Sequence, residues 1–170
     1  MKELVLTGRA RVLGDEVNTD YLISSNRKKE SLDPAVLRRY LLEDLDPSFA
    51  ASVAEGDILV AGRNFGCGSA MEVAVTVVLG AGIRAVVAKS FSRTYWRNAV
   101  NNGLLAIAAD TTGIAEGQRL QLRLGDAVPQ LEVIGERSRR IACEPLSGLV
   151  LALREAGGIV PYLRQHRSLA

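Results

Sequence analysis

Three short apolar runs constrain this chain more than any other feature: DILVAG at 57–62, IRAVVA at 83–88 and LLAIAA at 104–109. Each has the length of a strand and little polar interruption, the pattern of strands covered on both faces. Segments of helical length separate them. One runs from about Ala70 to Leu79; the other starts at a Ser90 cap, carries Phe91, Tyr95 and Val100 at helical spacing, and stops at Gly103. Strand, helix, strand, helix, strand with short links predicts a parallel βαβαβ core, because parallel neighbours require crossovers.

The flanks read differently. LVLTGRARVL at 4–13 alternates as a half-buried strand, GDEVNTD at 14–20 is a polar turn, and the loop continues through SSNRKKES at 24–31. A helix is expected over 32–42, with Asp33 as N-cap and Pro34 at the first helical position, and a second short one from Asp46. Downstream, 119–124 and 130–134 alternate as strands joined through a turn from Gly125 to Pro129. A third strand is expected at 139–143 and a closing helix at 146–157. The predicted class is α/β: a parallel core at about 10–110 with a small antiparallel β appendage and closing helix at about 118–160. At 170 residues the chain suits a single domain.

Composition removes several functions. Lys plus Arg number 21 against 19 Asp plus Glu, a net charge of +2, so no nucleic-acid partner is expected. No apolar run approaches a bilayer span, and the first residues lack a signal-peptide core, which predicts a cytoplasmic protein with no membrane partner. The thiols are Cys67 and Cys143, and the single histidine, His166, falls in what reads as a solvated tail at 162–170. Such a set cannot build a closed zinc site or hold an iron–sulfur cluster unaided. Any metal must come from a partner.

The stretch NFGCGSAMEVA at 64–74 carries the grammar of a ligand-binding turn. Gly66 and Gly68 let the chain turn sharply and present consecutive N–H groups. Ser69 is expected at or just before the first turn of the following helix, where a negative group is stabilised. That group is either a substrate carboxylate or the alkoxide of Ser69; the plainer reading makes Ser69 an N-cap only. Neither G-x-x-x-x-G-K-[ST] nor G-x-G-x-x-G is present. Cys67 has no histidine to activate it and reads as a small filler.

The segments GCGSAMEVA (66–74), GIRAVVAKSFSRTYWRNAVNNGLL (82–105), EDLDPSFA (43–50), GDILVAGRNFGCGS (56–69) and NTDYLI (18–23) resemble the small subunit of 3-isopropylmalate dehydratase and its homoaconitase-like relatives. They are similar also to the swivel domain of aconitase. The likeness runs over roughly residues 10–108. It implies a swivelling β/β/α fold, a large subunit carrying a four-iron, four-sulfur cluster, and no cofactor bound by this chain. The implied reaction is the reversible dehydration of a hydroxy-polycarboxylic acid, in leucine biosynthesis or a related pathway.

By the same resemblance, Ser69 matches the family's serine base, oriented by the backbone of Gly66, Cys67 and Gly68. Thr19 and Asp20 match a Thr-Asp pair near the active site. Arg27, Lys28 and Lys29 lie in the loop that senses the substrate's variable group, with a solvated loop as the plainer reading. The family loop reads Gly-Ser-Ser-Arg-Glu-His, and Ala70, Met71 and Val73 here replace the second serine, the arginine and the histidine. This departure suggests a hydro-lyase for a different substituted malate, with an apolar group beside Met71; a binding or regulatory subunit without catalysis is the alternative. Trp96 reads as packing or partner surface, and Arg93 or Arg97 as facing the large subunit. Self-association of the isolated chain stays open.

Overall fold

The computed structural model describes residues 3–125 and 127–169; Met1, Lys2, Asp126 and Ala170 lie outside them, and Asp126 takes with it part of the turn expected at 125–129. Seven strands form one sheet: β1 (Leu4–Val12), β2 (Ile58–Ala61), β3 (Ala85–Ala88), β4 (Leu105–Ala108), β5 (Arg119–Leu124), β6 (Gln130–Ile134) and β7 (Arg139–Ala142). Their order is β4-β3-β2-β1-β5-β6-β7. The three expected core strands are parallel neighbours, and β1 extends that set as a fourth.

The antiparallel strands are less of an appendage than expected, because β1 has nine residues and serves two partners. Its first part pairs with β5 over Leu4–Arg9, and its last three residues pair with β2 over Ala10–Val12. The far ends of the sheet then approach each other: Ala109 and Cys143 form an antiparallel bridge, and the Glu144 N–H donates to the Ala108 carbonyl at 2.9 Å. The sheet is therefore curled, with an inside and an outside.

Alternation along the parallel strands divides the core between those faces. Leu59, Ala61, Val86, Ala88 and Ala106 pack outward under α1 (Thr19–Leu22), α2 (Pro34–Leu37), α3 (Phe49–Ser52) and α4 (Val73–Gly80). Ile58, Val60, Ala85, Val87, Leu105 and Ile107 pack inward against β5, β6, α6 (Gly148–Ala156) and α7 (Ile159–His166). Helix α5 (Arg93–Asn101) serves both, giving Tyr95 and Ala99 to one core and Val100 to the other. Because both faces are covered, the strands read as continuous apolar runs.

Four expectations are corrected. Helix α4 begins at Val73 with Glu72 as N-cap, not near Ala70. The N-cap position of helix α5 is Ser92, which makes no side-chain capping bond, whereas Ser90 Oγ accepts the Asn64 N–H at 2.8 Å. The helix expected over 32–42 is one α-turn, capped by Asp33 as expected, followed by a 3-10 turn at Arg38–Tyr40. It ends there because Leu42 adopts φ 58° and its N–H donates to the Leu22 carbonyl. The carboxy-terminal segment is helix α7, anchored by buried Tyr162, on which His166 stacks at 4.2 Å.

The junction of β1 and β2 is held by charge. Arg11 and Asp57 are both buried and pair at 3.4 Å; Arg9 joins Asp57 at 2.8 Å, and Arg11 Nε reaches Glu116 at 2.7 Å. Arg11 also donates to Ser52 Oγ and lies over the Phe49 ring at 4.4 Å. Burial pushes the Asp57 carboxyl upward, but donors from Arg9, the Ala54 amide and Arg11 outweigh it and leave the group below its ordinary value.

Candidate active-site loop

The loops that follow β1, β2 and β3 gather at the carboxyl edge of the parallel strands, the edge where α/β sheets bind ligands. The first two are zipped together. The Gly66 N–H donates to the Val17 carbonyl at 2.8 Å, the Thr19 N–H to the Cys67 carbonyl at 2.8 Å, and Thr19 Oγ1 to the Ser69 carbonyl at 2.8 Å. Thr19 is 2% exposed, so a buried hydroxyl fixes the main chain at Ser69.

The glycines are required by what lies above them. Gly66 has φ +79°, and a Cβ there would fall on Cβ and Cγ of Tyr95. Tyr95 cannot yield: it is buried, packs edge-on to Phe65 at 5.1 Å, and donates its hydroxyl to the Ala74 carbonyl at 3.2 Å. A Cβ at Gly68, whose φ is +92°, would meet the side-chain amide of Asn18. The variant Gly66→Ala should lose about 3 kcal/mol, from overpacking together with a left-handed φ, seen as a lower urea midpoint at unchanged m-value.

Ser69 is exposed and stands four residues before the first helical residue, so it is not the N-cap. Its Oγ has no hydrogen-bond partner among the described residues, nor do the amides of Gly68, Ser69, Ala70 and Met71. The helix terminus expected to stabilise an anion at Ser69 is thus displaced. Four successive N–H groups without partners among the described residues, Gly68 to Met71, lie in the loop instead.

The other expected residues divide. Cys67 is half-buried, and burial together with the Glu16 carboxylate pushes its thiol up, which leaves it neutral; its carbonyl accepts the Thr19 N–H. Asp20 is exposed, and its Oδ1 accepts the Ser25 N–H at 3.2 Å, holding the 3-10 turn Ser25–Lys29. Arg27 is engaged within its own loop region, where it grips Glu43 at 2.7 and 3.1 Å and Glu30 at 2.8 Å, and stacks on Tyr40 at 3.8 Å. Lys28, next to it, is exposed and makes no ion pair among the described residues.

Met71 overturns an expectation. It is 4% exposed and belongs to the outer core, so it does not present an apolar surface beside the loop. Val73 is likewise buried, and Ala70 is exposed but short. Reading the sequence assigned no role at the site to Glu16, Asn18 or Tyr95. Glu16 accepts from Asn64 Nδ2 at 2.7 Å, and Asn18 accepts the Asp20 N–H at 2.9 Å as the cap of α1. Asn before Thr-Asp was a legible cap signal; the partners of Glu16 and Tyr95 lie too far along the chain to leave one.

The model of the aconitase C-terminal domain matches residues 41–112. The methanogen homoaconitase small subunit of Methanocaldococcus jannaschii is 39% identical over 96% of this chain and 94% of its own length. The 3-isopropylmalate dehydratase small subunit of Pyrobaculum calidifontis is 40% identical over 95% and 98%. The crystal structure of 3-isopropylmalate dehydratase (leuD) from Methanocaldococcus jannaschii superimposes with a TM-score of 0.88, covering 96% of both chains at 39% identity. With likeness of this degree across nearly the whole length, the chain belongs to the family of hydro-lyase small subunits that comprises those of 3-isopropylmalate dehydratase and homoaconitase.

Proposed function

We propose that this chain supplies the general base of a two-subunit hydro-lyase, with Ser69 Oγ as the base. In the dehydration direction Ser69 Oγ takes the proton from the carbon beside a substrate carboxylate. The carbon–carbon double bond forms as the hydroxyl leaves the adjoining carbon, and hydration reverses these steps. The supporting observation is an exposed, unpartnered Ser69 Oγ among four unpaired amides, on a main chain held by the buried Thr19 hydroxyl. Those amides would stabilise the serine alkoxide as preorganised donors.

The implied iron–sulfur cluster would supply Lewis acidity for the leaving hydroxyl. We place it on a large subunit, because two thiols and one histidine are too few ligands to hold a cluster. The substrate class is a hydroxy-polycarboxylic acid, with 3-isopropylmalate or a related substituted malate first, in leucine biosynthesis or a related pathway. The complex works in the cytoplasm; no helix among the described residues is long and apolar enough to cross a membrane.

With Arg27 engaged by two glutamates, Lys28 and Lys29 are the exposed cations of this loop without an ion pair among the described residues, and Lys28 is the one assigned to a substrate carboxylate. The variant Lys28→Ala should raise KM about tenfold while leaving kcat within twofold, the mark of lost uniform binding in steady-state kinetics. The reading as a whole is tested by purifying the chain with its large subunit, reconstituting the cluster and comparing wild type with Ser69→Ala. A panel of hydroxy diacids that differ at the variable substituent serves as substrates. Equal turnover by the two proteins removes Ser69 from the mechanism.

A further inference from the structure

A concave surface near the loop has no part in the chemistry above. It is a groove of about 570 Å³ between the start of α5 and the segment after β7. Lys89, Arg93 and Arg97 line it, with Trp96 and Phe91, and Glu144 is the one acid among its described lining residues. All three cations are exposed, and none makes an ion pair among the described residues. Lys89 shares its field with Asp15 and Asp110, whereas Arg93 and Arg97, with Glu144 in the same lining, make no ion pair among the described residues.

Trp96 is the only tryptophan in the chain and is 38% exposed. Residues 93, 96 and 97 follow the i, i+3, i+4 spacing of one helix face, so α5 presents an aromatic ring flanked by two guanidinium groups. Tryptophan and arginine are the side chains that dominate protein interfaces when desolvated, and unpaired cations around them select an acidic partner.

The groove is also coupled to the catalytic loop. The Phe65 N–H donates to the Ser90 carbonyl at 3.0 Å, the Ser92 N–H to the Phe65 carbonyl at 2.9 Å, and the Phe65 and Phe91 rings meet edge-on at 5.9 Å. An occupant of the groove would therefore touch Ser90 and Phe91, which belong to the segment hydrogen-bonded to the loop that carries Ser69. We infer that this groove docks the large subunit through an acidic segment bearing an apolar side chain, which covers Trp96 and pairs with Arg93 and Arg97. The inference rests on the two-subunit reading above and adds the surface and chemistry of docking.

The single tryptophan makes the test direct. The chain is labelled with 5-fluorotryptophan and titrated with unlabelled large subunit, while its one fluorine resonance is followed by NMR. The resonance should shift or broaden as the complex forms. The double variant Arg93→Glu, Arg97→Glu should weaken the complex at least about tenfold, with the loss greatest at low salt. Circular dichroism should show the fold unchanged, because neither arginine has an ion-pair partner to lose. A complex of normal affinity with an unmoved resonance overturns the docking surface and leaves the two-subunit reading standing. A resonance moved by 3-isopropylmalate alone makes the groove a small-molecule site and overturns the inference likewise. Failure to form any complex overturns both.

Discussion

Ser69→Ala, assembled with the large subunit, should turn over about 10²–10⁴ times more slowly than wild type, with KM changed less than about threefold. The size of the effect follows from a base that acts in the transition state and contributes little to ground-state binding. The loss is interpretable because the hydroxyl carries no structural duty: Ser69 Oγ has no partner among the described residues. The contact that holds the loop here, Thr19 Oγ1 to the Ser69 carbonyl, involves main chain and survives the substitution. Thermal unfolding of the variant should match wild type within about 0.5 kcal/mol. A fall in kcat accompanied by a lower midpoint would point to collapse of the loop and would count against the general-base role.

The largest stability effect is expected at the opposite end of β2. Asp57→Ala removes the buried acceptor shared by Arg9, Arg11 and the Ala54 amide. Arg11 then keeps Glu116 and Ser52 Oγ as partners, yet it stays buried beside an empty position where a negative charge stood. Breaking a buried pair from one side costs about 3–5 kcal/mol, and the retained Glu116 favours the lower figure. Urea denaturation at neutral pH measures it.

The same pair sets a pH dependence. The folded carboxyl of Asp57 titrates below its ordinary value, so the unfolded chain takes up the proton first as pH falls. Its contribution is complete above the unfolded value near 4 and is lost as pH drops through the lower folded value. Wild-type stability should therefore decline more steeply between about pH 4 and pH 2 than that of Asp57→Asn, in paired urea titrations. Parallel curves for the two proteins would show that Asp57 is not the coupled group.

Much of the architecture was legible because it is written in periodicity. Uninterrupted apolar runs at 58–61, 85–88 and 105–108 mark strands covered on both faces, and the alternation of 119–124 and 130–134 marks strands covered on one. The glycine pair also stood out, since few residues other than glycine adopt φ near +80° or +90°. Short range limited the rest. The start of α4 was misplaced by three residues because Ala70, Met71 and Glu72 all suit a helix, while the chain there is still crossing from the loop into the core, where Met71 is buried.

By itself the sequence determined that a parallel α/β core would form and that a sharp glycine turn with a hydroxyl would follow its first apolar strand. It also carried the family likeness. The tertiary structure alone decided that Met71 faces inward, that Arg27 is committed to Glu43 and Glu30, and that Thr19 meets Ser69 across fifty positions of sequence. Backbone preference and hydrophobic period act over a few neighbouring residues and can be read along the chain. The direction of one side chain depends on which distant groups the folded core brings within hydrogen-bond or van der Waals reach, and no local pattern encodes that.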